Sequence, residues 1–324
     1  MKAYVYGANG AEITDVAKPA PKAHQVLVRV RACGLNRADL GMTKGHVHGS
    51  AGGAGTVLGM EWAGEVAELG PDAKGVVVGD RVMGSGGAAF AEYTLADHGR
   101  LFHIPANANM SFEDAATLPV ALATMHNAVV TNGALQAGQS VLIQGASSGV
   151  GLMALQIARL KGAKTVIGSS TDATRRGRLK EFGADLAVDS SDPGWVDQVL
   201  KATDGEGVDL IVDQISGPVA NQNLKATKVK GRIVNVGRLG GTHGDFNFDL
   251  HAARRIHYIG VTFRTRSIEE IREIFAEVRR DIWDAVESRK LQLPIDKVFA
   301  FDDIGKAFEH MEANRHLGKI VVTL

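Results

Sequence analysis

The feature that most constrains the fold of this chain is a run of small residues between two apolar segments. The run is Gly145-Ala146-Ser147-Ser148-Gly149-Val150-Gly151, preceded by the strand-like Ser140–Gln144 and followed by an apolar-faced helical segment. Small residues let the backbone turn tightly and let a pyrophosphate approach the free N–H groups of the following helix. The context predicts a nucleotide-binding strand–turn–helix unit, the alternative being a plain tight turn in an α/β protein. The predicted cofactor-binding positions here are Ser147, Ser148, Gly149, Val150 and Gly151.

Beyond this turn, short apolar segments alternate with amphipathic ones. Strands are predicted at Ser140–Gln144, Thr165–Gly168, Leu186–Val188, Leu210–Asp213, Arg232–Val236 and His257–Val261. Helices are predicted at Gly151–Lys161, Thr174–Phe182, Val196–Thr203 and Val219–Ala226, with a long one from Ile268. This succession predicts a parallel sheet. Before about residue 114 the chain is β-rich, with a flexible glycine-rich loop at Gly45–Gly55, and Pro119 then kinks or starts a helix.

Length and composition narrow the class of protein. The 324 residues suggest two domains, and 36 basic residues balance 36 acidic ones, so we expect neither nucleic acid nor an anionic membrane as a partner. Cys33 is the only cysteine, which excludes a disulfide framework and a cysteine-cluster zinc and fits a reducing compartment. The first residues lack the apolar core of a secretory signal, and glycines and serines interrupt the apolar stretch Val141–Leu160. We therefore expect a cytoplasmic protein.

Several strings resemble the medium-chain dehydrogenase/reductase superfamily. They are Ala32-Cys33-Gly34-Leu35-Asn36-Arg37-Ala38-Asp39-Leu40, Leu58-Gly59-Met60-Glu61-Trp62-Ala63-Gly64, Gly79-Asp80-Arg81-Val82, Ala89-Phe90-Ala91-Glu92-Tyr93 and Gly318-Lys319-Ile320-Val321-Val322. The NRADL and GVTFRTRS strings most resemble its zinc-free quinone oxidoreductase branch. The resemblance implies an α/β fold with a Rossmann-like doubly wound parallel sheet at 115–266. It also implies a β-rich GroES-like catalytic domain at 1–114 and 267–324.

Two related enzyme groups fit less well. The glycine string is also similar to that of short-chain dehydrogenases, but their downstream Tyr-x-x-x-Lys pair is missing, since Thr262 follows Tyr258 at the lysine position. Zinc alcohol dehydrogenases carry a Cys and a His where this chain has Asn36 and Met60. We therefore predict no metal. His46 and His48, the only closely spaced histidine pair, are read as part of a solvated loop.

The residues that follow the second strand of the dinucleotide unit indicate which cofactor the chain binds. An NAD enzyme carries a carboxylate there, whereas the aligned position is Ser170. Arg175 and Arg176 follow, and uncharged donors beside a guanidinium suit a 2′-phosphate, so we predict NADPH. Asp172 either points at the ribose or caps the next helix. The two arginines are alternatively a solvated helix face.

The resemblance also assigns roles to residues outside the turn. It places Asn235 and Gly237 beside the nicotinamide and Asp213 near the cofactor, with a strand-end cap as the alternative for Asp213. Asn36, at the zinc-ligand position, is expected near the nicotinamide, where its amide orients the substrate carbonyl, or else it is a structural turn residue. Arg264 resembles an arginine of this branch whose role the sequence leaves open.

The sequence thus predicts an NADPH-dependent, zinc-independent oxidoreductase that transfers hydride to a quinone. An enone, 2-alkenal or enoyl-thioester double-bond reductase on the same scaffold is the alternative, and a cofactor-binding protein with little turnover is the non-enzyme alternative. The segment His257–Val261 is predicted to be an exposed sheet edge, and an apolar edge favours pairing with its copy. We therefore expect a homodimer, as is common in the family that the chain resembles.

Overall fold

Residues 1–49 and 51–324 are described by a computed structural model, and their internal contacts divide them into two units. Unit 1 comprises Met1–Ala123 and Phe263–Leu324, and unit 2 comprises Thr124–Thr262. The domain limits expected from the sequence, at 114/115 and 266/267, remain a prediction. Ser50, inside the predicted Gly45–Gly55 loop, lies outside the described residues.

The first 126 residues form mostly short strands. The strands are β1 (Lys2–Gly7), β2 (Gly10–Asp15), β3 (Gln25–Gly34), β4 (Val47–His48), β5 (Ala51–Gly52), β6 (Glu61–Leu69), β7 (Arg81–Ser85), β8 (Tyr93–Asp97) and β9 (Leu101–His103). The helices are α1 (Arg37–Met42), α2 (Phe112–Ala115) and α3 (Pro119–His126). Pro119 therefore starts a helix, where its missing N–H costs nothing.

Unit 2 continues with the predicted alternation. Its strands are β10 (Ser140–Gln144), β11 (Thr165–Ser169), β12 (Leu186–Val188), β13 (Val208–Asp213), β14 (Thr227–Asn235) and β15 (His257–Gly260). Its helices are α4 (Gly149–Leu160), α5 (Ala173–Gly177), α6 (Trp195–Ala202), α7 (Ala220–Ala226) and α8 (Phe248–Arg254). The predicted helix Thr174–Phe182 is only partly right, because α5 ends at Gly177 and a separate 3₁₀ turn covers Leu179–Phe182.

The C-terminal segments return to unit 1. They are α9 (Ile268–Glu287), β16 (Ile295–Ala300), α10 (Ile304–Glu312) and β17 (Lys319–Thr323). β17 pairs antiparallel with β3, and the main sheet of unit 1 runs β16-β17-β3-β6-β7-β9, with β8 also on β3. Its apolar side buries Trp62, Phe90 and Phe308. Within the predicted Gly45–Gly55 loop, β4 and β5 pair as a small antiparallel ladder that the sequence did not predict.

The sheet of unit 2 has six parallel strands in the order β12-β11-β10-β13-β14-β15. Counted from β10, this order is 3-2-1-4-5-6, the doubly wound arrangement in which ligands bind at the carboxyl ends of the strands where the order reverses. The predicted α/β fold class is confirmed. β15 lies at the end of the sheet, as predicted. None of the helices in the described ranges is both long enough and apolar enough to cross a membrane.

Candidate functional site

The glycine-rich turn in unit 2 joins β10 to α4, at the point where the strand order reverses. Gly145 has φ +72°, a conformation that a side chain disfavours. A Cβ on Gly151 would lie 2.6 Å from the Gly145 carbonyl oxygen, so only glycine fits there. Ser148 precedes the helix and its Oγ accepts a hydrogen bond from Gly151 N–H at 3.1 Å. The turn therefore has the tight backbone and helix start that a pyrophosphate requires.

Gln214, which the sequence analysis missed, directly follows the neighbouring strand β13 and hydrogen-bonds to this turn. Its Nε2 donates to the Gln144 carbonyl oxygen at 3.1 Å, and its Oε1 lies 2.9 Å from Ser148 Oγ. The side chain is 3% exposed. Because β10 and β13 are adjacent, the residue after β13 lies beside the turn after β10. The available signal in the sequence was a polar residue directly after a predicted strand of the sheet.

Ser170 follows β11 and meets the same turn. Its Oγ donates to Ser147 Oγ at 3.0 Å, and Ser169 Oγ accepts from Gly145 N–H at 3.0 Å. The structure thus brings the predicted residues Ser147 and Ser170 together. Both hydroxyls belong to the carboxyl ends of neighbouring strands, where a dinucleotide ribose is bound in this arrangement.

The charged groups after Ser170 form two pairs, Asp172 with Arg175 and Arg176 with Asp189. Asp172 Oδ1 accepts from Arg175 N–H at 2.8 Å, which makes Asp172 the cap of α5, one of the two alternatives left open by the sequence. This bond, the largest cause, holds the pKa of Asp172 below its usual value. Arg176 is tied to Asp189 at 2.9 Å and to the Ser170 carbonyl oxygen at 2.8 Å. Arg175 Nε lies 3.6 Å from Asp172 Oδ1.

Asn235 and Gly237 lie at the carboxyl end of β14. Asn235 Nδ2 donates to Ser216 Oγ, which donates to the Gly237 carbonyl oxygen at 2.7 Å. Asp213 accepts from Ser216 N–H at 2.9 Å, and burial raises the pKa of this carboxyl group. Asn235 lines a cavity of about 210 Å³ with Arg238 and Tyr258. The predicted positions around the nicotinamide therefore form one hydrogen-bonded group beside an open space.

Asn36 lies in unit 1, just before α1, in contact with a buried ion pair that the sequence analysis also missed. Lys319 Nζ lies 2.5 Å from Glu61 Oε2, with exposures of 5% and 0% for the two side chains. Lys319 also donates to Asn36 Oδ1 at 3.0 Å, and Asn36 Nδ2 donates to Glu61 Oε2 at 3.0 Å and to the Gly34 carbonyl oxygen at 3.3 Å. The available signal was a charged residue at the start of each of two strands, directly before uncharged residues: Glu61 before Trp62-Ala63-Gly64, and Lys319 before Ile320-Val321-Val322.

A second carboxyl group adjoins this cluster. Asp39 Oδ2 accepts from Asn36 N–H at 2.7 Å, and the residue is fully buried. Burial is the largest cause raising the pKa of Asp39 to about 7, and Glu61 raises it further, while Asn36 N–H and Lys319 oppose the shift. This group therefore titrates near neutral pH.

The donor set around Asn36 does not fit zinc. An amide stands at position 36 and a thioether at position 60, and the amide is engaged by Lys319 and Glu61. Zinc in proteins takes thiolate, imidazole and carboxylate ligands. In the part of the chain that is described, no three His, Cys, Asp or Glu side chains are grouped as a metal site would require. Arg264, in the same unit, lies with its backbone against Gly49.

The sheet order and the turn define a protein of the dinucleotide-binding class. Family models agree: the alcohol dehydrogenase GroES-like domain matches residues 22–106, and zinc-binding dehydrogenase matches residues 149–280. An alcohol dehydrogenase superfamily protein from Novosphingobium aromaticivorans is 30% identical, with a TM-score of 0.88 and coverage of 100% of this chain and 99% of that one. The chain belongs to this superfamily, the medium-chain dehydrogenases/reductases, and its resemblance to the zinc-free branch is confirmed.

Other similar proteins include two reductases and a polyketide synthase. The CurK enoyl reductase is 25% identical with a TM-score of 0.87, each chain being covered to 99%. A Pseudomonas syringae pv. Tomato quinone oxidoreductase is 25% identical with a TM-score of 0.85, covering both chains fully. A phenolphthiocerol/phthiocerol polyketide synthase of Mycobacterium tuberculosis is 29% identical over 96% of this chain. The chain spans only 14% of that synthase's length.

Proposed function

We propose that this protein is an NADPH-dependent, zinc-independent oxidoreductase that transfers hydride to a quinone. The observation that carries the choice of cofactor is the carboxyl end of β11. Ser170 stands there with its hydroxyl on Ser147, and the nearby carboxylate of Asp172 is used to cap α5. A hydroxyl pair leaves room for a 2′-phosphate, which a carboxylate at the strand end would repel.

The residues of unit 2 would hold NADPH by their separate chemistries. The N–H groups at Gly149 and Val150 would donate to the pyrophosphate, because a helix start favours anions. Gly151, whose own N–H donates to Ser148 Oγ, keeps the turn tight enough for the pyrophosphate to approach. Ser147 and Ser170 hydrogen-bond the ribose side, and Arg175 pairs with the 2′-phosphate. Asn235 and Gly237 bound the space for the nicotinamide. When bound, NADPH supplies the hydride, and the protein contributes position and orientation.

Asn36 is the residue that we propose to orient the acceptor carbonyl. Its Nδ2 is engaged with Glu61 and Gly34, so contact with a substrate requires it to exchange the longer of these bonds, 3.3 Å to Gly34. An amide donor there stabilises negative charge that develops on the acceptor oxygen. No side chain is assigned as proton donor, and water protonates a reduced quinone.

The second candidate is the reduction of an enone or enoyl-thioester double bond. It is favoured by the likeness to the CurK enoyl reductase and by the polyketide synthase relatives, which match nearly the whole chain. Hydride would then add to the β-carbon of the acceptor. Binding of NADPH with little turnover is the non-enzyme alternative.

The test is a titration of the chelator-treated chain with NADPH and NADH, followed by a simple quinone, an enone and an enoyl thioester. Oxidation of NADPH that survives the chelator supports the proposal, and the fastest acceptor decides between the two reactions.

Arg175→Ala should raise the KM for NADPH at least about tenfold and leave the KM for NADH unchanged. Arg178→Ala, which removes an exposed guanidinium paired with Glu181, is the control. Equal use of NADH by the unmodified chain would contradict the assignment of the cofactor.

We also propose that the chain forms homodimers through β15, in the cytoplasm that its single cysteine suits. β15 ends the parallel sheet, and His257 and Tyr258 on it are exposed. An open edge strand can pair with its own copy across a two-fold axis, which satisfies its outward backbone groups.

A further inference from the structure

Four polar side chains of unit 1 form one cluster in which a single member reaches the surface. Asp39, Glu61 and Lys319 are buried, whereas Asn36 is partly exposed. We propose that Lys319 and Glu61 are positioning residues that fix the orientation of the Asn36 carboxamide, and that Lys319 also strengthens this amide as a hydrogen-bond donor to the acceptor oxygen. This inference rests on the proposed function, in which Asn36 meets the substrate.

The orientation of the amide follows from the chemistry of its two neighbours. An ammonium group only donates hydrogen bonds, so it must face Asn36 Oδ1, from which Lys319 Nζ lies 3.0 Å. An ionised carboxylate only accepts, so it must face Nδ2, from which Glu61 Oε2 lies 3.0 Å. Rotating the amide by 180° would put donor against donor and acceptor against acceptor. The ion pair therefore selects one of the two orientations.

The backbone holds the two charged groups in place. Glu61 Oε1 accepts from Val120 N–H at 2.7 Å, in the first turn of α3, where a helix start stabilises a carboxylate. Leu35 N–H donates to the Ile320 carbonyl oxygen at 3.0 Å, and this continuation of the β3–β17 ladder puts position 36 beside position 319. A Cβ on Gly34 would lie 3.0 Å from Glu61 Oε2 and 3.2 Å from Lys319 Cε. These backbone contacts restrict the movement of the Glu61 and Lys319 side chains.

The contact with Lys319 also acts on the strength of the amide as a donor. A cation at Oδ1 draws electron density from the amide and makes its Nδ2 hydrogens better donors, as in other hydrogen-bond chains. One of these hydrogens faces Glu61, and the other makes the longer bond to Gly34, which an acceptor oxygen replaces. For an enone, hydride forms the C–H bond at the β-carbon, the π electrons move to the oxygen, and water supplies the completing proton. The amide loses no hydrogen.

Kinetics on paired variants test whether Lys319 acts through Asn36. Lys319→Met should lower kcat about tenfold or more, with the KM for NADPH unchanged, and Lys319→Arg should keep kcat within about threefold. In an Asn36→Ala background, Lys319→Met should change kcat by less than about twofold. Lys306→Met, which removes an exposed lysine paired with Asp303, is the matched control. Equal losses from Lys319→Met in both backgrounds would overturn the proposal.

A readout independent of activity separates this inference from the proposed function. In protein labelled with ¹⁵N-asparagine, the Asn36 side-chain amide, identified by its loss in Asn36→Ala, should show two well-separated proton shifts and slow exchange with water. Lys319→Met should collapse the separation, and Lys319→Arg should keep it. Because a Glu61 carboxylate left without its cation can prevent folding, Lys319→Met/Glu61→Gln repeats the test with no carboxylate at position 61. An unchanged Asn36 signal in either folded variant overturns the proposal, even if no acceptor is reduced.

Discussion

The hydroxyl of Ser170 donates to that of Ser147 at 3.0 Å, joining the end of β11 to the glycine-rich turn after β10. The two residues are 23 positions apart in the chain, and the parallel pairing of β10 with β11 brings them together. The contact joins the two sequence observations that predicted a dinucleotide site and its preference for NADPH.

Replacement of Ser170 by Asp tests the cofactor assignment from the opposite direction to Arg175→Ala. A carboxylate at this strand end repels a 2′-phosphate and accepts hydrogen bonds from the ribose hydroxyls of NAD. We expect the ratio of kcat/KM for NADPH to that for NADH to fall at least about tenfold, which steady-state rates with each cofactor measure. Gln198→Glu adds the same charge at an exposed position on α6 and should leave the ratio within about threefold. An unchanged ratio in Ser170→Asp would contradict the assignment.

Gly34 is expected to be intolerant of any side chain. An alanine Cβ there would lie 2.3 Å from the Ala116 carbonyl oxygen, a distance at which the backbone must shift. Gly34→Ala should lower the free energy of unfolding by about 2 kcal/mol or more, measured by urea titration. Gly305→Ala in α10, where nothing lies within 4 Å of the added atom, should be neutral or stabilise by about 0.5–1 kcal/mol. Equal changes in the free energy of unfolding for the two substitutions would show that the space around Gly34 can accommodate a methyl group.

Asp39 is expected to make stability depend on pH. Its pKa is about 7 in the folded protein against a usual 3.8, so folding favours the protonated carboxyl. The stability that this group contributes is fully present below about pH 3.8 and is lost as the pH rises through 7. Asp39→Asn cannot ionise, and relative to the parent its free energy of unfolding should rise by about 2–3 kcal/mol between pH 5 and pH 8.

Urea titrations of the parent and of Asp39→Asn at pH 5 and pH 8 measure this difference directly. Asp302→Asn, which removes an exposed carboxylate paired with Lys2, reports the effect of losing one surface charge. If the stability of Asp39→Asn relative to the parent is the same at both pH values, Asp39 does not titrate between them.

The proposed dimer predicts a particle of about twice 34.3 kDa by light scattering. His257→Glu puts one negative charge from each copy near the two-fold axis, and the repulsion should raise the dissociation constant at least about tenfold. Gln198→Glu adds an exposed charge on α6 and should leave the mass unchanged. A mass near 34.3 kDa for the parent at micromolar concentration would contradict the dimer.

Most of the dinucleotide unit could be predicted because its signals are local. The apolar Ser140–Gln144, the small residues of the turn and the helix after Ser148 are contiguous, and their periodicity reports their own conformation. The break of the predicted helix at Gly177 was missed, as was the small ladder of β4 and β5. Glycine and short polar residues allow several local structures, and packing against neighbours chooses among them.

The sequence by itself determined the strand–turn–helix unit, the alternation of the parallel sheet and the residue types that a dinucleotide requires. Only the tertiary structure decided that Asn36 lies between Lys319 and Glu61, which are 283 and 25 positions away. The tertiary structure likewise decided that Gln214 hydrogen-bonds to the glycine-rich turn after β10. The physical reason is that periodicity describes a segment alone, whereas the meeting of buried charges depends on the register between strands from distant parts of the chain.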